Sequence, residues 1–245
     1  MASANPGKLR EFQEAARDHG IGVKAVPAIA SLPACVEDGA TFEANARKKA
    51  LHYSTQCAGL VFADDSGLCV EALGGAPGVY SARFAGPKAD DAANNDRLIA
   101  ELGSFSFPER AAHYVCVIAL AASGEILAVT EGRVDGIILD APRGSGGFGY
   151  DPLFLYPPFG RSFAELTPGE KFGISHRGAA FRKLLGYLQE WYPMRHDREN
   201  EPSKEGSINR EGPRWPKGVH LAGTTVEHLR WARPPLPPGG VRFAT

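Results

Sequence analysis

The chain opens with a short loop of small residues that leads directly into a predicted helix. The loop reads Ser3-Ala4-Asn5-Pro6-Gly7-Lys8. Backbone N–H groups at the start of a helix, together with the helix dipole and a nearby lysine, favour a bound anion such as phosphate. Pro6 suits the first helical position, where its missing N–H is not needed. Taken alone, these residues are equally typical of a plain capped helix at the surface.

A set of carboxylates is the second candidate for chemistry: Glu37, Asp38, Asp64 and Asp65. Asp64 and Asp65 follow an apolar run typical of a buried strand, and a strand end holds carboxylates rigidly beside a crevice. Together with Glu37 they could hold a hard cation that keeps several waters, as Mg²⁺ does. Because side chains alternate along a strand, both aspartates face one site only if the chain turns, which Ser66-Gly67 favours. The alternative is that both are solvated turn residues.

Two later stretches could bind a planar base. Residues 143–152 combine several glycines, which let the backbone approach a ligand, with Phe148 and Tyr150, which can stack. Farther on, Lys171 precedes the run Ser175-His176-Arg177-Gly178, whose donors could read a base edge or neutralise phosphate. The alternatives are a tight surface loop with aromatic anchors and an ordinary capped helix.

Composition limits the classes of protein to consider. The chain has 245 residues, enough for one large domain or two small ones, and is 43% hydrophobic. Its formal net charge of −1 gives no global positive field for nucleic acid, so an anionic ligand needs a local basic cluster. The four cysteines show no Cys-x-x-Cys spacing, which is typical of reduced residues in the cytosol. We find no signal peptide and no apolar run long enough to cross a bilayer.

Hydrophobic periodicity predicts helices and strands that alternate, which favours an α/β fold. The first predicted helix begins at Pro6 and is closed by Gly20, and the others cover 41–54, 90–102 and 179–191. The predicted strands cover 23–29, 60–63 continuing at 68–70, 113–122, 126–134 and 137–139. After Tyr192 the composition turns to Pro, Gly, Arg and Glu without a period, so 193–245 is predicted to be a disordered tail with a short helix near 226–231.

Taken together and in order, these stretches closely resemble the Ham1 family of inosine triphosphate pyrophosphatases, also called dITP/XTP pyrophosphatases. The matching segments are Ala2–Lys8, Asp38–Ala46 with Lys49, Ala63–Leu68, Leu73–Arg83, Gly146–Pro152, Ala164–Thr167 and Ser175–Gly178. The resemblance covers about residues 2–190 and assigns 1–192 to one domain. It implies an α/β, two-lobed fold with a central mixed sheet flanked by helices, and an active site in the cleft between the lobes.

The resemblance also implies an activity, which is Mg²⁺-dependent hydrolysis of dITP, ITP and XTP to the monophosphate and pyrophosphate. Such enzymes cleanse the nucleotide pool; we expect a cytoplasmic homodimer that binds neither nucleic acid nor membrane. The loop Ser3-Ala4-Asn5-Pro6-Gly7-Lys8 would bind the triphosphate, with Asn5 and Lys8 making the main contacts. Lys49 would face the phosphates, and Ser66 would touch the substrate.

The remaining site residues also follow from the resemblance. Glu37 and Asp65 would bind the metal, Asp65 would also be the general base, and Asp64 would support the metal or its waters. The base pocket would be formed by Phe148, Gly149, Tyr150, Asp151, Lys171, His176 and Arg177. In that pocket Phe148 would stack on the purine, and Lys171, His176 and Arg177 would read its 6-oxo group.

The chain departs from the family at its start, where relatives carry several apolar residues before the phosphate loop. We interpret this shortened first strand as a start site assigned too late rather than a real truncation. Two alternatives remain. A Maf-like nucleotide pyrophosphatase shares the architecture, although its Ser-Pro-Arg-Arg opening is missing here. The other is a non-catalytic nucleotide-binding module disabled by the shortened strand.

Overall fold

The structure is a computed structural model that describes residues 1–3, 5–17 and 21–199. The helices in these residues are α1 (Pro6–Arg17), α2 (Phe42–Ser54), α3 (Asp91–Glu101), α4 (Pro168–Ile174) and α5 (His176–Glu199). The strands are β1 (Val61–Val70), β2 (Ala111–Ala122), β3 (Glu125–Ile138), β4 (Phe154–Tyr156) and β5 (Arg161–Ser162). The predicted α/β class is therefore confirmed.

The strands form one sheet in the order β1-β2-β3-β4-β5, and every neighbouring pair in this described sheet is antiparallel. The expectation of a mixed sheet is therefore wrong, because the chain reverses direction between each pair of neighbours. The strand predicted at 23–29 is also wrong, since that stretch contains a turn and the start of a short 3₁₀ helix. The two-lobed arrangement stays a prediction.

The first residues make backbone contacts on both sides without forming a strand. The Ala2 N–H donates to the Phe62 carbonyl at 2.8 Å, and the Val26 N–H donates to the Met1 carbonyl at 3.0 Å. Met1 and Ala2 are both buried. These contacts tie the loop that begins at Ser3 to the edge of β1.

Strand β1 runs without a break through the acidic pair. Asp65 lies opposite Val117 and Gly67 opposite Val115, so the turn predicted at Ser66-Gly67 is wrong. Gly67 serves a close approach instead, because a Cβ there would lie 2.4 Å from the carbonyl oxygen of Gly78. Successive side chains on a continuous strand point to opposite faces, so Asp64 and Asp65 separate.

Local capping explains where several helices begin. The Thr41 hydroxyl accepts from the Ala44 N–H at 3.1 Å, and the Asp90 carboxylate accepts from the Ala93 N–H at 2.8 Å. Thr167 caps α4, a helix the sequence did not predict. Helix α5 begins at His176 rather than 179 and runs to Glu199, so the predicted boundary at 192 lies inside it. The rest of the predicted tail, the helix end at Gly20 and the loop residue Ala4 lie outside the described residues.

Helices cover both faces of the sheet and thereby position the two aspartates. On one face α1 and α5 pack against β1 and β2 through Phe12, Phe62, Ile118, Phe181 and Leu184. On the other face α2 packs through Ala46, Ala50, Ala63, Val117 and Ala119. Asp64 therefore belongs to the α1 side of β1, and Asp65 to the α2 side. Across the described residues, no helix has the length and apolarity needed to cross a bilayer.

Candidate active site

A cavity of about 530 Å³ brings together residues that are far apart in the sequence. Among the predicted site residues it is lined by Ser3, Asn5, Lys8, Glu37, Lys49, Asp65, Ser66, Phe148, Gly149, Tyr150, Asp151, His176 and Arg177. Pro6, Gly7, Asp64 and Lys171 lie outside this lining, and Ala4 is not described. Most of the predicted set thus converges on one space.

The loop at the start of α1 is held by its own side chains. The Asn5 carboxamide oxygen accepts from the Lys8 N–H at 3.1 Å, which caps the helix, and the Asn5 N–H donates to the Ser3 hydroxyl at 3.2 Å. This capping places Lys8 in the first turn of α1. The Lys8 ammonium is then directed toward β1.

Asp64 pairs with this lysine from the α1 side of β1. Its Oδ2 lies 2.7 Å from Lys8 Nζ and accepts from the Ser66 hydroxyl at 2.6 Å. Burial would raise the pKa of Asp64, but Lys8, Lys49 and Arg177 outweigh burial and hold the pKa well below its usual range. Within the described residues its Oδ1 has no partner. The carboxylate therefore stays ionised and holds Lys8 and Ser66.

On the α2 side, two carboxylates meet at one ammonium. Lys49 Nζ lies 2.9 Å from Glu37 Oε2 and 3.5 Å from Asp65 Oδ1. Burial lowers the pKa of Lys49, but the carboxylates of Asp64, Asp65 and Glu37 outweigh burial and raise it. Asn45 donates to Asp65 Oδ2 at 3.1 Å, a contact that the sequence analysis missed although Asn45 lies in a quoted segment. Burial raises the pKa of Asp65 despite these partners.

The pair formed by Glu37 and Asp65 suits a hard divalent cation in the chemistry of its donors, since carboxylate oxygens are such a cation's preferred ligands. Both carboxylates already face a positive charge, that of Lys49. No group of three or more His, Cys, Asp or Glu in the described ranges is arranged to hold a metal ion. Asp64 lies on the other face of β1 and pairs with Lys8, although Lys49 also lowers its pKa. The geometry thus brings Glu37 and Asp65 together and leaves a cation dependent on water or substrate for its other ligands.

The other end of the cavity is built by the glycine-rich loop. Gly147 and Gly149 adopt φ of 73° and 63°, a left-handed conformation that favours glycine, and so turn the chain around Phe148. Asp151 fixes this turn because its Oδ2 accepts from the Phe148 N–H at 2.9 Å and from Lys171 Nζ at 2.5 Å. Asp151 is buried, so here it shapes the loop.

Glu11 is a site residue that the sequence analysis missed. Its carboxylate lies 2.6 Å from Lys171 Nζ and 3.1 Å from an Arg177 terminal nitrogen. Those two cations lie 4.9 and 4.8 Å from the centroid of the Phe148 ring, within cation–π range. The available signal was helical spacing, because Glu11 follows Lys8 by three residues and lies beside the core residue Phe12.

His176 presents a neutral imidazole to the cavity. The ring is 1% exposed and stacks on Tyr114 at 4.6 Å with an interplanar angle of 9°. Burial, Arg177 and Lys171 lower its pKa well below the usual value. Neither ring nitrogen has a partner among the described residues, and Arg177 Nε is also unpartnered. A planar polar ligand would satisfy these atoms.

Arg83 is a further cavity-lining cation to which the sequence analysis gave no role. Its terminal nitrogen lies 3.5 Å from the carbonyl oxygen of Glu37, although the two residues are 46 positions apart. This contact joins the segment after β1 to the segment before α2. The signal was present in the quoted segment Leu73–Arg83, which carries one basic residue at its end.

Several known proteins are similar to this chain in sequence and in fold. The sequence profile of the Ham1 family matches residues 1–187. A dITP/XTP pyrophosphatase of Desulfotalea psychrophila is 41% identical over 89% of this chain and 97% of its own length. Another dITP/XTP pyrophosphatase, from Lactiplantibacillus plantarum, is 48% identical over 78% of this chain and 95% of its own length.

Solved structures agree with the sequence relatives. A HAM1 protein from Coxiella burnetii superposes with a TM-score of 0.69 at 42% identity, covering 77% of this chain and 96% of its own. The Ham1 protein of Staphylococcus aureus gives a TM-score of 0.68 at 38% identity, with the same coverage. Matches of this extent at both levels show that the chain belongs to the Ham1 family.

Proposed function

We propose that this protein hydrolyses non-standard purine nucleoside triphosphates, namely dITP, ITP and XTP, to the monophosphate and pyrophosphate. One observation carries the proposal: Lys8, Glu37, Lys49 and Asp65 line the same cavity as the Phe148 loop. Had these four side chains been scattered, the assignment would have been lost. The relatives named dITP/XTP pyrophosphatases support the substrate class.

At the phosphate end, the chain supplies two cations and one base. Lys8 and Lys49 would stabilise the charge that builds on the leaving pyrophosphate as water attacks the α-phosphorus. Asp65 would accept the proton of that water, and its raised pKa makes it a stronger base than an exposed aspartate. Glu37 and Asp65 would hold a divalent cation, for which we propose Mg²⁺, and the cation would supply charge neutralisation at the phosphate oxygens.

At the base end, the unpartnered polar atoms favour a keto purine. The orphaned Arg177 Nε can only donate, and the His176 imidazole offers one donor and one acceptor. A 6-oxo group accepts such donors, whereas the 6-amino group of adenine leaves them unmatched. Each buried unmatched group costs about 1–3 kcal/mol, enough for selection against adenine.

The finer parts of the proposal rest on the family resemblance. We propose that the protein is a homodimer and that it is located in the cytoplasm, where the free nucleotide pool is. We also propose that it binds neither nucleic acid nor membrane. The formal net charge of −1 supports the absence of nucleic acid as the main partner.

Pyrophosphate release tests the proposal, measured with dITP, XTP, dATP and dTTP in the presence and absence of Mg²⁺. We expect dITP and XTP to turn over far faster than dATP, with no turnover in Asp65→Asn. The matched control is Asp135→Asn, whose side chain is 73% exposed and does not line the cavity. A preference for dTTP would favour the Maf-like alternative, and binding of dITP without release would favour the non-catalytic module.

A further inference from the structure

The first turn of α1 and the aromatic residue of the glycine-rich loop touch each other. A Cβ added at Gly7 would lie 2.9 Å from Cδ1 and 3.1 Å from Cε1 of Phe148. Non-bonded carbon atoms pack at about 3.5–4.0 Å. The Phe148 ring therefore occupies the space that any side chain at position 7 would need. Gly7 immediately precedes Lys8, so the ring lies directly against the phosphate loop.

Backbone conformation does not explain a glycine at this position. Gly7 lies inside α1, and it is not one of the glycines with positive φ. Alanine is the better helix former, so a glycine here weakens the helix. The close approach of the Phe148 ring is what the absent side chain permits.

The same face of α1 also holds the two cations beside the ring. Glu11 lies four residues after Gly7, on the same helical face, and pairs with Lys171 and Arg177. Those cations lie 4.9 and 4.8 Å from the centroid of the Phe148 ring. One helix face thus sets the ring position in two ways, by leaving space at Gly7 and by placing cations through Glu11.

We propose that Gly7 is a positioning residue that couples the two ends of the substrate site. By letting Phe148 close on the phosphate loop, it fixes the distance between the surface on which the base stacks and the groups that bind the triphosphate. This inference rests on the proposed function. The ring is the flexible end of a half-buried side chain, so a methyl group at position 7 displaces the ring rather than the helix. The Asn5 carboxamide oxygen, 3.2 Å from the added Cβ, needs to move by only a few tenths of an ångström.

The test is Gly7→Ala, with three readouts. We expect the KM for dITP to rise roughly two- to tenfold, the range for one aromatic stacking contact. Inhibition by tripolyphosphate, which has no base, is expected to stay unchanged. The Tm is expected to hold or rise, because alanine favours the helix. If Gly7 had a purely structural role, its substitution would change the Tm, the KM for dITP and the inhibition by tripolyphosphate together.

Gly169→Ala is a matched control, because Gly169 also follows a proline in the first turn of a helix and has no atom within 4 Å of its added Cβ. We expect unchanged kinetics there. In a Phe148→Ala background, Gly7→Ala should have no further effect on KM. An equal fold-change in both backgrounds, or an equal loss of tripolyphosphate binding, would overturn the inference. Absence of dITP turnover in the unaltered protein would instead overturn the proposed function.

Discussion

Lys8 and Asp64 form a buried ion pair, with Nζ 2.7 Å from Oδ2 and the aspartate side chain fully removed from solvent. The lysine reaches the cavity from α1, whereas the aspartate comes from β1. Asp64 thus anchors the ammonium of Lys8, and its predicted support of a metal or of the metal's waters stays a prediction.

Replacing Asp64 by asparagine keeps the shape of the side chain and removes its charge. Because a lysine whose side chain is only 15% exposed then loses its partner, we expect the unfolding free energy to fall by about 3 kcal/mol, the lower end for a buried pair, measured by denaturant titration. The KM for dITP should rise, while binding of inosine monophosphate at the base end changes little. In Glu101→Gln, which breaks an exposed pair with Arg97, the loss should stay below about 1 kcal/mol. Equal losses in the two variants would contradict this role for Asp64.

Lys49→Met tests whether the ammonium group of Lys49 competes with a divalent cation for the carboxylates of Glu37 and Asp65. Removing the ammonium leaves Glu37 and Asp65 without their common partner. We expect Mg²⁺ or Mn²⁺ to bind the nucleotide-free protein about tenfold more tightly by calorimetry, because one repelling charge is gone. Pyrophosphate release should nevertheless fall by about a hundredfold or more, since one stabilising charge is lost.

The control for this variant is Lys48→Met, which changes the preceding residue. Lys48 pairs with the exposed Asp38, and both side chains are largely solvated. We expect neither cation binding nor turnover to change appreciably. Weaker cation binding in Lys49→Met than in Lys48→Met would show that the lysine assists the cation rather than competing with it.

Local rules predicted the parts of the site that depend on neighbouring residues. The capped start of α1 follows from Asn5, Pro6 and Lys8, and the start of α2 follows from Thr41. These features need only a few consecutive residues. The order of the quoted segments then predicted the family, and with it the convergence of Glu37, Lys49 and Asp65 on one cavity.

The features that the sequence did not reveal depend on distant contacts. The straight course of β1 through Ser66 requires Gly67 to admit the carbonyl of Gly78, which is a tertiary approach. Glu11 pairs with Lys171, which is 160 positions away. Helix α4, with seven residues, is too short for a hydrophobic period to show. No spacing rule joins residues of this kind.

Gly132→Ala tests the contact that seats the start of α5. A Cβ at Gly132 in β3 would lie 2.1 Å from the His176 carbonyl oxygen and 2.5 Å from the Ala180 nitrogen. These are backbone atoms of a helix, so the helix must move. We expect a loss of about 1–3 kcal/mol in unfolding free energy, together with a raised KM for dITP.

Gly186→Ala is the corresponding control within α5 itself. No atom lies within 4 Å of a Cβ added there, and the residue is in the helix interior. The substitution should stabilise the protein by up to about 1 kcal/mol and leave the kinetics unchanged. If both glycine variants gave the same small change, the close approach of β3 to α5 would not seat His176.

The pH dependence of stability should report the buried imidazole of His176. Its pKa in the folded protein lies well below the usual value, because the ring is buried and faces Arg177, Lys171 and Lys8. In the unfolded chain a histidine has a pKa of about 6.5. Below that pH the unfolded state binds a proton that the folded state does not bind. The contribution of His176 to the unfolding free energy is therefore present above pH 6.5 and is lost as the pH falls. The loss approaches about 1.4 kcal/mol per pH unit.

His176→Gln removes this titration while keeping a polar side chain. Between pH 7.5 and pH 5.5, the unfolding free energy of the unaltered protein should therefore fall by about 1 kcal/mol relative to that of His176→Gln. Only the unaltered protein takes up a proton at residue 176 when it unfolds. Denaturant titrations at three pH values measure it, and the imidazole Cε1 proton resonance should stay constant over the same range. A constant free-energy difference, or a resonance that titrates near pH 6.5, would mean that the ring is protonated in the fold. A charged ring beside Arg177 has donors only, so it could still bind a 6-oxo group, and only the acceptor that we assign to the neutral ring would be lost.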